Sequence, residues 1–109
     1  MEQNTFQQFD VCKAEVENMA TTRFLILEGG AGLRKAPNMI CAPLFTEKDD
    51  RYHLYVDCPL DDGTYLAALD GVQPIDRACL ISQEPIGALK DEKAQKIMGQ
   101  TLQLLMLGK

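Results

Sequence analysis

The sequence predicts an α+β protein, mainly β: a small antiparallel barrel or sheet with one carboxyl-terminal α-helix. Short apolar or alternating segments of strand length recur through most of the chain and are separated by turn residues. The final segment instead repeats apolar residues at helical spacing. A helix laid over an antiparallel sheet is an α+β arrangement, and residues 1–109 fit a single domain.

The strand predictions rest on two patterns. In "RYHLYVD", Tyr52, Leu54 and Val56 point one way and the residues between them point the other, which is typical of a half-buried strand. "RFLILE" and "NMICAPLF" are nearly continuous apolar runs, as expected for strands covered on both faces. The predicted strands are residues 5–13, 23–28, 38–45, 51–57 and 64–70.

Two turn segments separate these strands. "GGAG" at residues 29–32 permits positive backbone dihedral angles and is interpreted as a loop. "LDDG", which ends at Gly63, predicts a chain reversal that links two strands.

The helix is predicted to begin after Pro85 and Gly87 and to run toward the end of the chain. Asp91 and Glu92 fall in its first turn, where negative charge suits the helix dipole, but no ideal N-cap residue is predicted. Residues 102–108 are apolar almost all round, so we expect the sheet or another chain to bury them. The apolar stripe consists of Ala94, Ile97, Met98, Thr101, Leu102 and Leu105.

The charge, the apolar runs and the cysteines of the sequence limit the kinds of function that this protein is expected to have. The net charge of -5 argues against a function in binding nucleic acid through its phosphates and favours binding to a protein partner. No apolar run is long enough to cross a bilayer and the start lacks signal-peptide features, so a cytoplasmic protein with no membrane partner is expected. The four widely spaced cysteines predict reduced, mostly buried thiols, and no metal or cofactor site is predicted.

One set of residues has catalytic potential. Arg23 opens a predicted strand, Thr46 follows another and Asp70 closes a third, so the three side chains could meet at one sheet edge. An arginine stabilises charge on phosphorus, and a hydroxyl or carboxylate orients the attacking 2'-hydroxyl of RNA. The alternative is that Arg23 and Asp70 are surface ends of strands and Thr46 caps a turn. His53 is interpreted as a solvated side chain.

Three segments carry a family resemblance: "QFDVCK" at residues 8–13, "MICAPL" at residues 39–44 and "SQEPIGAL" at residues 82–89 before the final helix. On these segments the chain resembles the plasmid-maintenance toxins of the CcdB and MazF superfamily. The resemblance implies a small SH3-like barrel that forms a homodimer and belongs to a toxin-antitoxin system.

The closer likeness is to CcdB-like toxins, because their last helix also follows a Glu-Pro-aliphatic segment. It implies inhibition of DNA gyrase by binding to the A-type subunit of that enzyme, and neutralisation by an antitoxin protein. CcdB toxins often end in Gly-Ile, whereas this sequence ends in Gly-Lys. The partner-binding residues implied by this resemblance are Met106, Leu107, Gly108 and Lys109.

The alternative is a MazF-like endoribonuclease that cleaves single-stranded mRNA. Here "LAALDGVQPIDRACL" at residues 66–80 resembles the MazF segment that holds an acidic residue, and Arg23, Thr46 and Asp70 would be catalytic. Phe24 and Gly71 depart from the proline and glutamine of that family. A non-toxic binding module on the same fold is a third possibility.

Overall fold

The computed structural model describes residues 6–27 and 38–107. Several predictions therefore fall outside the described residues. They concern the "GGAG" loop, the first residue of the strand predicted at 5–13, the last residue of the strand predicted at 23–28, and the partner-binding residues Gly108 and Lys109. The elements are β1 (Asp10–Lys13), β2 (Arg23–Ile26), β3 (Asn38–Phe45), β4 (Tyr55–Leu60), β5 (Gly63–Ala68), β6 (Gln73–Asp76), β7 (Gly87–Ala88) and α1 (Glu92–Leu107), with 3-10 turns at Leu69–Gly71 and Arg77–Cys79.

The described strands form one antiparallel sheet, curled into a half-barrel, in the order β4-β5-β3-β2-β1-β7. β3 is the centre of the sheet. One edge of β3 pairs with β2, while its other edge pairs first with β6 and then with β5. The prediction of an α+β, mainly β fold with a C-terminal helix is confirmed.

Both faces of the sheet are covered, which explains the continuous apolar runs in β2 and β3. Phe24, Leu25 and Ile26 are all buried, although successive side chains on a strand point to opposite faces. On one face the sheet packs against α1 through a cluster that includes Leu25, Leu44 and Met98. The cluster on the other face consists of Phe6, Cys12, Ala14, Phe24, Ile26, Met39, Cys41 and Ile75.

The strand predicted at residues 51–57 begins four residues later, at Tyr55. The carboxylate of Asp70 accepts hydrogen bonds from the backbone N of His53 at 2.8 Å and of Leu54 at 3.3 Å. These two amides are therefore bound by a side chain, and the alternating pattern before Tyr55 belongs to a loop.

Other boundaries also shift. β1 begins at Asp10 rather than at residue 5, and the strand predicted to reach Asp70 ends at Ala68. β3 matches its predicted segment, whereas β2 begins at Arg23 as predicted but ends at Ile26, so Leu27 lies outside the strand. β6 and the two-residue β7 were not predicted, because both are too short to show a period.

The predicted reversal at "LDDG" is confirmed. Leu60 pairs with Gly63 across a hairpin whose turn is formed by Asp61 and Asp62. Gly63 has φ of 141°, a region in which glycine is strongly favoured because it lacks a Cβ atom.

The helix prediction is confirmed over Glu92–Leu107, but the expectation that it lacks a good N-cap was wrong. Asp91 Oδ1 accepts hydrogen bonds from the backbone N of Lys93 at 2.9 Å and of Ala94 at 3.1 Å. Asp91 therefore lies just before the helix and caps it, rather than occupying its first turn.

Candidate functional site

Arg23, Asp62 and Tyr65 form a polar cluster on the helix-bearing face of the sheet. Arg23 Nη1 donates to Asp62 Oδ2 at 3.2 Å and also donates to Tyr65 Oη. The Tyr65 hydroxyl donates to the same Asp62 oxygen at 3.0 Å. The side chains of Arg23 and Asp62 are 40% and 60% exposed, so the cluster is open to a ligand.

The split pairing of β3 brings these three residues together. Arg23 begins β2 on one side of β3, and Tyr65 lies in β5 on the other side, close to the pairs formed by Leu44 and Phe45. Asp62 lies in the hairpin turn between β4 and β5, and its carboxylate contacts both Arg23 and Tyr65. The backbone N of Arg23 also donates to Thr21 Oγ1 at 3.2 Å, which fixes the start of β2.

The contacts within the cluster change the acidity of two groups. The hydrogen bond from Tyr65, with a smaller contribution from Arg23, lowers the pKa of Asp62. Partial burial, together with the hydrogen bond to Asp62, raises the pKa of Tyr65. At neutral pH the cluster therefore presents an arginine, a carboxylate and a protonated phenol.

Arg23 and Thr46, two of the residues considered catalytic, both line a groove of about 400 Å³. Thr46 follows β3 directly and is exposed. We name this cavity the Thr46 groove; its lining includes Thr21, Thr22, Arg23, Phe45, Thr46 and Tyr65.

Asp70, the third residue considered, does not line the Thr46 groove. Its two carboxylate oxygens hold the backbone of His53 and Leu54, as described for the start of β4. Next to it, a Cβ atom on Gly71 would lie 2.6 Å from the Tyr52 ring. The glutamine of MazF-type proteins would fit at position 71 only if that ring moved.

Asp62 and Tyr65 were absent from the sequence-based site. The turn that carries Asp62 was predicted, and Tyr65 lies two residues after Gly63 on the following strand. A search for polar residues beside the predicted hairpin turn would have found both, although it would not have placed them against Arg23.

The second candidate site is α1, because the predicted partner-binding residues lie at its end. Met106 and Leu107 belong to its last turn, while their side chains and residues 108–109 lie outside the described part. Earlier in the helix, Ile97 is 46% exposed and Leu104 is 70% exposed. The sequence placed Ile97 in the apolar stripe, as a residue that packs on the sheet. That prediction was wrong, because Ile97 lies at the solvent-exposed edge of the stripe.

The histidine and the cysteines do not form a candidate site within the described part of the chain. His53 is exposed, as predicted, and the four cysteines are free, three of them buried. Within residues 6–27 and 38–107, no group of three or more His, Cys, Asp or Glu side chains is placed to hold a metal ion. No helix in the same ranges has the length and apolar character needed to cross a membrane.

Among known proteins, no family model matches the chain, and no curated protein matches it.

Proposed function

We propose that this chain is the toxin component of a toxin-antitoxin pair, a CcdB-like homodimer that inhibits DNA gyrase. In this proposal the carboxyl-terminal part of α1 and the residues after it bind the A-type subunit of gyrase. The observation that carries the proposal is the exposure of Leu104, a large apolar side chain that lies two residues before the first predicted contact residue, Met106.

The helix is suited to present this surface. Ala94 and Met98 are buried against the sheet, and Asp91 caps the first turn. Gln95 Nε2 also donates to the backbone oxygen of Leu89 at 2.7 Å. Because one face of α1 is fixed in these ways, a partner that docks on Ile97 and Leu104 meets a rigid helix, and little ordering entropy is lost.

The energetic gain on docking is appreciable. Burying an exposed leucine side chain contributes roughly 1.5–3 kcal/mol. A few such side chains near the centre of an interface supply much of its binding energy. We expect the antitoxin to be a largely disordered segment that folds on contact and competes for the chain with gyrase.

Removal of residues 107–109 tests the proposal in cells. Expression of the full chain should stop growth, whereas the truncated chain should be tolerated and should retain the far-ultraviolet circular dichroism of the full chain. Full growth inhibition by the truncated chain would count against the proposal. Harmless expression of the full chain would favour a non-toxic binding module.

A second function, a MazF-like endoribonuclease, is favoured by the shared position of Arg23 and Thr46 in the Thr46 groove. Arg23 would stabilise charge on the phosphorus of single-stranded RNA, and Thr46 would orient the 2'-hydroxyl. The lowered pKa of Asp62 makes that carboxylate a weak base, so the proposal gives it no proton-transfer role. Asp70 is engaged elsewhere and would act only after leaving its backbone partners.

RNA cleavage separates the two functions. Purified chain incubated with single-stranded RNA should leave it intact if the toxin acts on gyrase. Cleavage that disappears in both Arg23→Ala and Thr46→Val, but persists in Lys96→Ala, would establish the ribonuclease. Lys96 serves as the control because it is exposed on α1, outside the groove.

A further inference from the structure

Lys13 and Arg23 lie directly opposite each other in the antiparallel pairing of β1 and β2. Residues paired in this way have their Cβ atoms about 4.5–5.5 Å apart on the same face of the sheet. Two like charges at that separation repel and destabilise the pair. The sheet therefore holds two cations side by side at one end of its helix-bearing face.

Only one of the two cations has an ion-pair partner among the described residues. Arg23 is paired with Asp62 through Nη1, so its Nε and Nη2 groups have no hydrogen-bond partner in the described ranges. Lys13 makes no ion pair there, and the nearby Asp61 is paired with Lys90 at 3.7 Å. Within the described ranges, the Lys13 ammonium therefore has no ion-pair partner, and it lies beside Nε–H and Nη2–H donors of Arg23 that make no hydrogen bond.

Both cations line one groove of about 340 Å³, which we name the Lys13 groove. Asp61 and Asp62 also line this groove, and Asp62 is the ion-pair partner of Arg23. Leu60 and the exposed Ile86 supply its apolar surface. This volume lies within the range of about 300–1,000 Å³ typical of small-molecule sites.

We propose that the Lys13 groove binds a nucleoside monophosphate. The phosphate lies between Lys13 and Arg23, where its charge offsets their repulsion and where the guanidinium donates charge-assisted hydrogen bonds. The carboxylates of Asp61 and Asp62 accept hydrogen bonds from the sugar hydroxyls. The base lies against the apolar surface.

This site is separate from the surface proposed for gyrase and from the Thr46 groove. Arg23 borders both grooves, but Lys13 does not line the Thr46 groove. Substitution of Lys13 therefore tests the ligand site without altering Thr46 or the exposed helix face. Binding is measured on the purified protein, so its result is independent of whether the chain is toxic.

Isothermal titration calorimetry with AMP, inorganic phosphate and adenosine tests the proposal. The unchanged chain should bind AMP saturably at one site per chain, inorganic phosphate more weakly, and adenosine more weakly than AMP. Loss of one charge-assisted hydrogen bond should weaken AMP binding at least about tenfold in Lys13→Gln. Lys13→Arg should retain binding because it keeps the charge.

The matched control is Lys96→Gln, which removes the same charge from the exposed face of α1. Equal AMP affinity in Lys13→Gln and Lys96→Gln would overturn the proposal, as would adenosine binding as tight as AMP binding. The absence of saturable AMP binding to the unchanged chain would also overturn it, and this outcome does not depend on how any variant folds.

Discussion

Ile97 and Leu104 lie seven residues apart in α1, on one side of the helix, with side chains 46% and 70% exposed. Between them, Met98 is completely buried against the sheet. The helix therefore has one apolar face that the chain itself covers and a second apolar edge that it leaves open. The proposed gyrase contact depends on this difference.

Met98 and Leu104 should differ sharply when each is shortened. Met98→Ala should lower the free energy of unfolding by about 2–5 kcal/mol, because it leaves a cavity between helix and sheet. Leu104→Ala should change it by less than about 0.5 kcal/mol, because the side chain is exposed. Urea denaturation at one fixed protein concentration measures both. Equal losses would show that Leu104 is packed.

Asp91 should stabilise α1 through its hydrogen bonds more than through its charge. Asp91→Ala should cost about 0.5–2 kcal/mol, the usual range for loss of an N-cap. Asp91→Asn keeps an acceptor oxygen without the charge and should recover most of that loss. Thermal unfolding followed by circular dichroism compares the three proteins. If both variants were destabilised alike, the cap would not be the reason.

Asp62 should contribute to stability in a pH-dependent way. In the folded chain the pKa of Asp62 is lowered from 3.8, mainly by the hydrogen bond from Tyr65 and to a smaller extent by Arg23. Its contribution to stability is therefore complete above pH 3.8 and is lost as the pH falls through the pKa of the folded state. The melting temperature of the unchanged chain should therefore exceed that of Asp62→Asn at pH 7.

That difference should shrink as the pH is lowered below about 4, the ordinary value for an aspartate. Asp49, whose pKa is lowered by Arg51, is present in both proteins and cancels in the comparison. A difference that stayed constant down to pH 2 would rule out the proposed effect of Asp62.

The thiols should react unequally in the native protein. Burial raises the pKa of Cys58 to about 12, and a hydrogen bond with Cys12 together with burial raises the pKa of Cys41. Cys12 has a lowered pKa, because of the same hydrogen bond, but it is inaccessible. Since the accessible thiolate is the nucleophile, only the half-buried Cys79 should react quickly.

A thiol-specific chromogenic reagent at pH 8 measures this. One thiol per chain should react in a fast phase that Cys79→Ser abolishes, and all four should react in urea. A fast phase that survives in Cys79→Ser would show that a buried cysteine becomes exposed by opening of the sheet.

The longest secondary-structure elements could be predicted from the sequence. α1 and β3 are long enough for their apolar patterns to be recognised, and both were found at the expected positions. The strand at Tyr55 was placed too early because the same alternation continues through a loop held by Asp70. β7 consists of two residues, too few for any pattern to indicate pairing with β1.

The candidate site was less predictable because it depends on the order of strands. Arg23 and Thr46 were recognised from their chemistry, but their place in one groove depends on the pairing of β2 with β3, and β5 on the other side of β3 completes that groove. The same arrangement brings Tyr65 to Arg23, although the two are 42 residues apart in the chain. Likewise, the apposition of Lys13 and Arg23 depends on the register between β1 and β2.

Inhibition of purified DNA gyrase tests the central claim, binding through the open edge of α1, most directly. The unchanged chain should inhibit supercoiling. Leu104→Glu should lose inhibition by at least about tenfold, because it places a charge where an apolar contact is expected. Gln103→Glu, which adds the same charge at the neighbouring exposed position, should inhibit normally. Equal inhibition by both variants, or none by the unchanged chain, would contradict the account.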